Sequence, residues 1–183
     1  MRSGFLMKIA LYILGGLAAL VVLLTLIGLL LPRRYRVERL AVIKAQAAVV
    51  YAQVADLKAW KNWGVWFARD SQMQVVYSEN TGDVGGWSAW KSKSQGSGKA
   101  TLTTLTAPTY AAYSLQFEGM GFASQGSFTL TPVADGIRVV WVDAGDLGLN
   151  PLSRWFGLFL DRMIGPDFEA GLAKLKALCE KAP

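Results

Sequence analysis

The sequence predicts an α+β fold in which a bent antiparallel sheet wraps a long C-terminal helix, behind one N-terminal transmembrane helix. Three observations predict it. Ile9 to Leu31 form an uncharged run of 23 residues. The middle of the chain repeats short segments rich in Thr, Val and aromatics, punctuated by Gly, Pro or Asp. A closing stretch places apolar residues at three- and four-residue steps.

The apolar run comes first. As a helix it reaches roughly 34 Å at 1.5 Å per residue, enough to cross a bilayer core. A cleaved signal peptide has a shorter apolar region, about 7–15 residues, ending in a small-x-small site. Here the run ends in "LLLPRRYR", so an uncleaved anchor is expected. Gly15, Gly16 and Gly28 form no G-x-x-x-G pair, and dimerisation through this helix is only weakly suggested. Arg2 and Lys8 precede the run; Arg33, Arg34, Arg36 and Arg39 follow it, with Tyr35 at interface depth. The positive-inside rule then puts the remainder on the cytoplasmic side of a bacterial plasma (inner) membrane, as a single-pass protein. The expected division is an anchor over 1–34 and a ligand-binding domain over 35–183.

"YRVERLAVIKA" alternates and reads as a strand. "AQAAVVYAQVADL" reads as a helix with Val50, Val54 and Leu57 at helical spacing. In "DLKAWKNWGVWFARD", Trp60, Trp63 and Trp66 recur every three residues and Phe67 follows, which keeps the rings near one face of a short helical turn. "MQVVYSE" is a short strand and "TGDVGG" a turn. "WSAWKSKSQ", "GKATLTTLTAP", "TYAAYSLQFEG", "SQGSFTLTPVA" and "GIRVVWVDAGD" follow with short joints, which implies hairpins and an antiparallel sheet. "NPLSRWFGLFLDRMIGPDFEAGLAKLKALCEKA" closes the chain as one long amphipathic helix. Asn150 caps it, Pro151 takes the first position, and a bend is expected at Gly165-Pro166. One helix cannot cover both faces of such a sheet. A sheet bent around the helix resolves this and leaves a gap between them, where a site is expected.

The order of these motifs resembles the SRPBCC superfamily, also called START-like, Bet v 1-like or the polyketide cyclase/dehydrase group. The resemblance is carried by "YRVERLAVIKAQAAVVYAQVADLKAWKNWGVWFARD", by the G-x-x-x-x-W hairpin "DVGGWSAWKSKSQGSGKATLT", by "TLTPVADGIRVVWVDAGD" and by "IGPDFEAGLAKLKALCE". It covers Arg36 to Cys179, and "GLLLPRRYRVER" is similar to a membrane-anchored bacterial subgroup. The resemblance implies a helix-grip fold with a hydrophobic cavity. It implies no single activity, because that superfamily holds lipid carriers, cyclases, hydroxylase domains and regulatory binders.

Composition narrows the chemistry. Residues 1–39 hold six basic residues against Glu38, whereas the rest of the chain holds 13 basic and 12 acidic residues. The basic excess belongs to the flanks of the apolar run, so nucleic acid is not an expected partner. The chain has one cysteine, Cys179, and no histidine. That removes internal disulfides, the usual zinc sites and any Ser-His or Cys-His nucleophile pair. No cofactor or metal is expected. "GSGK" at Gly96 to Lys99 lacks Walker spacing and reads as a hairpin turn.

Strand parity selects the cavity wall. Ile137, Val139, Trp141 and Asp143 share one face, as do Tyr113, Leu115 and Phe117, and Phe122, Phe128 and Leu130. The expected ligand-binding set is Trp60, Trp63, Trp66, Phe67, Trp90, Tyr113, Phe117, Phe128, Trp141, Asp143, Phe156, Phe159 and Met163. Within the tryptophan stretch, Trp63 is expected to be packed and Trp66 to lie nearer the opening, with Lys58, Lys61 and Arg69 in water or on headgroups. Asp143 is either a strand-end carboxylate bonded to backbone, Arg138 or Arg154, or an acid/base or ligand-orienting group. Glu118, Asp146 and Asp70 read as solvated ends, and Tyr77, Tyr110 and Tyr113 mainly as packing with an exposed tip. The leading expectation is a membrane-anchored binding or carrier domain for a hydrophobic small molecule or lipid. The alternatives are a polyketide cyclase/dehydratase-like enzyme and an accessory subunit with a membrane-protein partner.

Overall fold

The computed structural model describes residues 2–119 and 123–181, with side chains from Met7 onward; Phe122 lies outside the described residues. Helix α1 (Arg2–Leu30) leads into strand β1 (Arg34–Ile43). Helix α2 (Ala47–Val54), a single 3₁₀ turn (Ala59–Asn62) and helix α3 (Val65–Arg69) follow. Six strands come next: β2 (Gln74–Tyr77), β3 (Trp87–Lys91), β4 (Ser97–Thr106), β5 (Tyr110–Phe117), β6 (Ala123–Val133) and β7 (Gly136–Asp146). Helices α4 (Pro151–Gly157) and α5 (Leu160–Cys179) close the chain. The Met7–Leu30 part of α1 is long and apolar enough to cross a membrane, and only 6% of its most apolar window is buried against the rest of the protein.

The seven strands form one antiparallel sheet in the order β1-β7-β6-β5-β4-β3-β2. Every neighbour is a hairpin partner except β1, which returns to pair with β7 from Arg34↔Asp146 to Ile43↔Ile137. Helix α5 lies on the inner face. Val37, Ile43, Leu102, Phe128, Val139 and Trp141 from the sheet meet Phe168, Leu172 and Leu175 from the helix, all at most 4% exposed. Polar ties fix α5 over β1. Arg39 donates to Asp161 at 2.8 Å and to Glu169 at 2.6 Å. The guanidinium crosses α5 over Gly165, where a Cβ would lie 2.1 Å from Nη2. Further along, Lys176 donates to the Val42 carbonyl at 2.7 Å, and the Lys44 amide donates to Glu180 at 2.9 Å.

The closing helix is two helices, and the break falls at Leu158 and Phe159 rather than at Gly165-Pro166, which α5 carries within it. The break arises because α4 is held elsewhere. Asn150 caps it by accepting from the Leu152 amide at 2.9 Å, with Pro151 at the first turn. Arg154 donates to the carbonyls of Gly148 at 3.0 Å and Leu29 at 2.5 Å, and the Trp155 indole donates to the Leu24 carbonyl at 3.0 Å. Helix α4 thus follows α1, while α5 follows the sheet.

Three aromatic rings lie over a cross-strand glycine. Trp90 pairs with Gly98, Tyr113 with Gly126 and Tyr35 with Gly145. A Cβ on Gly126 would stand 2.0 Å from Tyr113 Cζ. That ring cannot retreat: Tyr113 is 2% exposed and its Oη accepts from Trp141 Nε1 at 2.8 Å. Gly126→Ala should therefore lower stability by about 1–3 kcal/mol through overpacking. Denaturant midpoints of the two proteins measure this, and an unchanged midpoint would show that the ring is free to move.

Candidate functional site: an apolar cavity between sheet and helix

Two indoles of the tryptophan stretch are explained by the end of α2. A helix leaves its last carbonyls without partners. Trp60 Nε1 donates to the Val54 carbonyl and Trp63 Nε1 to the Gln53 carbonyl, both at 3.0 Å. With these N–H groups satisfied, both rings turn inward. Trp63 is fully buried and meets Phe128 and Trp141 edge-on at 5.9 and 5.4 Å. Trp60 meets Tyr113 edge-on at 4.9 Å. Trp66 is half-buried and nearer the surface.

Above these rings lies a cavity of about 400 Å³. Trp60, Trp66 and Phe67 wall one side. Trp90, Tyr113, Leu115 and Phe117 form the sheet wall. Phe156, Met163 and Phe168 line it from α4 and α5. Phe156 and Met163 are also 36% and 53% exposed, so they stand at the mouth. Of the thirteen residues expected on the wall, Trp63, Phe128, Trp141 and Phe159 are not there. The first three are at most 1% exposed and pack beneath the cavity, because a ring inserted between sheet and α5 has neighbours on both faces. Phe159 sits in the break between α4 and α5 and points out, 52% exposed.

One corner of the cavity is polar. Asp143 is 3% exposed and accepts from Tyr35 Oη and Ser124 Oγ, both at 2.8 Å. All three residues line the cavity. Burial raises the Asp143 pKa, and the two hydrogen bonds only partly offset this. Burial and the adjacent Asp143 charge likewise raise the Tyr35 pKa. Neither Arg138 nor Arg154 serves Asp143: Arg138 faces outward on β7, and Arg154 binds backbone carbonyls. Tyr35 and Ser124 were missed in the sequence, although a signal existed. Tyr35 shares parity with inward-facing Val37, and Ser124 with Phe128; the assignment of Tyr35 to interface depth took precedence over its parity.

A second polar contact closes the tryptophan side. Asp167 is 8% exposed and forms a bidentate ion pair with Arg69, 2.8 Å along its Nη1 arm. It also accepts from Trp66 Nε1 at 3.2 Å. Arg69 is therefore a latch between α3 and α5 rather than a headgroup contact. Lys58 and Lys61 are exposed, each with Nζ near the Tyr77 ring at 6.0 and 5.7 Å. Asp146 and Asp70 are also engaged: Asp146 accepts from Arg33 at 2.7 Å, and Asp70 from Ser92 at 2.5 Å. Of "GSGK", expected as a turn, only Gly96 closes the β3–β4 turn, at φ +72°; Ser97, Gly98 and Lys99 already belong to β4 and pair with β3, and Lys99 lies over the Trp87 ring at 4.7 Å. Among the described residues no group of three or more acidic, Cys or His side chains could hold a metal.

The family described as polyketide cyclase / dehydrase and lipid transport matches residues 34–180. Solved structures share the fold at low identity. Protein CV1439 from Chromobacterium violaceum is 19% identical with a TM-score of 0.58, over 82% of this chain and 99% of that one. The di-domain ARO/CYC StfQ of the steffimycin biosynthetic pathway is 15% identical with a TM-score of 0.61, over 81% of this chain and 51% of that one. The Aha1 dimer from Colwellia psychrerythraea is 18% identical with a TM-score of 0.54, over 80% and 96%. No curated protein matches the chain.

Two predictions follow from this geometry. Trp63→Ala should cost about 3–5 kcal/mol, as for a buried large aromatic, and Trp66→Ala less, because Trp66 borders open space. Equal losses in denaturant unfolding would contradict this division. Asp143 sets a pH dependence. Its folded pKa stands above 3.8, so its protonated form favours the native state. That contribution is full below 3.8 and is lost as pH rises through the folded pKa. Relative to Asp143→Asn, the native protein should be more stable at acid pH, with the difference shrinking as pH rises. A difference independent of pH would overturn the assignment.

Proposed function

Because the chain belongs to the polyketide cyclase / dehydrase and lipid transport family, we propose that it binds a hydrophobic small molecule or lipid between the sheet and α5 while α1 holds it at a membrane. The observation that carries this reading is the cavity itself. Its 400 Å³ falls in the range of small-ligand sites, about 300–1,000 Å³. Its wall is aromatic and aliphatic apart from a few polar groups, of which Asp143, Tyr35 and Ser124 form one cluster. An apolar body would fill the space, and a hydroxyl or carbonyl would orient against that cluster. Anchoring through residues 1–34 would raise the effective concentration of a ligand that partitions into lipid. The excess of arginines after the apolar run supports a cytoplasmic domain at a bacterial inner membrane.

A second reading rests on Asp143 alone. A carboxyl with raised pKa, hydrogen-bonded to a tyrosine inside a cavity, is a candidate general acid for a cyclase- or dehydratase-like step.

One experiment separates the readings. The full chain in detergent is titrated with fatty acids, phospholipids and aromatic polyketide-like compounds, following intrinsic tryptophan fluorescence, to which Trp60, Trp66 and Trp90 on the cavity wall contribute. A saturable change is expected, weakened at least tenfold by Leu115→Trp, which fills the cavity. No response to any apolar ligand would refute the binding reading. Conversion of a bound compound, seen by mass spectrometry and abolished in Asp143→Asn, would favour the enzyme.

A further inference from the structure

Helix α4 and the turn after it expose a dense apolar surface. Leu149 and Leu152 are 72% and 75% exposed, Leu158 and Phe159 50% and 52%. Single exposed apolar residues are ordinary; a contiguous group of this kind marks an interaction surface. This group continues into the cavity mouth through Phe156 and Met163.

The contact with α1 identifies the partner. Helix α4 does not sit beyond the end of α1; it lies beside its last two turns. Gly28 makes this possible, since a Cβ there would lie 2.7 Å from Pro151 Cβ and 3.0 Å from Trp155 Nε1. The Trp155 indole donates to the carbonyl of Leu24, six residues before the end of the Met7–Leu30 span. At 1.5 Å per residue that is roughly 9 Å below the end of the span. If α1 crosses a bilayer to Leu30, Trp155 cannot lie in bulk water. Arg154, 8% exposed, donates to the carbonyls of Leu29 and Leu31 at the end of α1, so its guanidinium is hydrogen-bonded there and caps the helix end. The exposed arginines lie at the edge of the patch: Arg34 borders a small groove with Leu158, and Arg162 follows Phe159 in α5. Such a rim suits headgroup phosphates, and Trp155 suits the interfacial belt.

We propose that α4 and the α4–α5 turn are embedded in the adjoining membrane leaflet, so that the cavity mouth at Phe156 and Met163 opens onto lipid. The occupant of the apolar surface is the bilayer itself. The inference rests on the reading of α1 as an anchor and adds a route: ligand passes between leaflet and cavity without entering water. The exposed side chains of α4 then need no protein partner.

Single-cysteine labelling of the full chain tests this. Cys179 is buried and is replaced by Ser; Leu152→Cys, Phe159→Cys, Leu26→Cys and Asp135→Cys are made separately in that background. Position 135 lies in the β6–β7 turn, at the opposite end of β7 from the Arg34↔Asp146 pair, and serves as the water-exposed control. Each variant carries a polarity-sensitive fluorophore and is reconstituted into phosphatidylcholine/phosphatidylglycerol vesicles containing doxyl-labelled lipid. Labels at 26, 152 and 159 should shift to the blue and be quenched by doxyl lipid, while the label at 135 is quenched only by aqueous iodide. Quenching of 152 and 159 by iodide, with 26 still quenched by lipid, would leave the anchor standing and overturn the inference. Blue-shifted labels at 152 and 159 that neither agent quenches would place a protein over α4 and overturn it equally. A label at 26 that lipid does not reach would remove the anchor reading and this inference with it.

Discussion

The fold depends on how far α5 can sink toward the sheet, and a column of rings sets that distance. Trp141 stacks on Phe168 of α5 with centroids 3.8 Å apart and planes 3° from parallel, and Phe128 meets its other side at 4.9 Å. Trp63 packs edge-on against the same column. Interiors are close-packed, so a stack of large rings at one place cannot be compressed to close space at another. The rings hold helix and sheet apart, and the cavity is the volume beside them that smaller residues such as Ala100 and Ser88 do not fill. Trp63, Phe128 and Trp141 are thus the struts beneath the cavity, while Trp60, Trp66 and Trp90 form its wall.

Two polar contacts limit how this apolar assembly can open. Arg69 and Asp167 join the tryptophan segment to α5 across the cavity rim, and Arg39 joins α5 to β1 through Asp161 and Glu169. The Arg39 contact is built from spacing: positions 161, 165 and 169 fall on one helix face, and the glycine in the middle lets the guanidinium pass. Each contact has a solvated side, Arg69 in one and Asp161 and Glu169 in the other, so each contributes more to placement than to stability. Asp143 differs because it is buried and, among the described residues, is held by hydroxyls rather than by a cation. That leaves its carboxyl closer to neutrality than an ion-paired carboxylate.

Strand parity and punctuation made most of the architecture legible. The inward faces of β1, β5, β6 and β7 follow directly from alternation, as does the need for one helix to be gripped by a bent sheet. Parity says which way a side chain points, but not how deep it lies. Parity therefore puts Phe128 and Trp141 on the cavity wall, whereas they support it from beneath, together with Trp63, the indole expected to be packed. The α4–α5 break escaped for a different reason. The periodicity of "NPLSRWFGLFLDRMIG" continues through Leu158 and Phe159, and only the contacts of Arg154 and Trp155 with α1 pull the first turns away. Likewise Arg69 and Asp167 stand 98 residues apart, beyond any local pattern.

Those α1 contacts give α4 two roles at once. Its inner side supplies Phe156 to the cavity, and its other side is bonded to α1. A rotation of α1 about the α1–β1 junction cannot leave the mouth unchanged, because Arg154 and Trp155 would carry Phe156 with them. The junction is short: Arg33 pairs with Asp146, and the Leu147 amide donates to the Arg33 carbonyl at 2.8 Å, so β1 begins as soon as α1 ends. Helix α1 and the sheet are thus linked at two points, one through β1 and one through α4, with the cavity mouth beside the second. The placement of α1 thus bears on the placement of Phe156, through the contacts of Arg154 and Trp155 just before it in sequence.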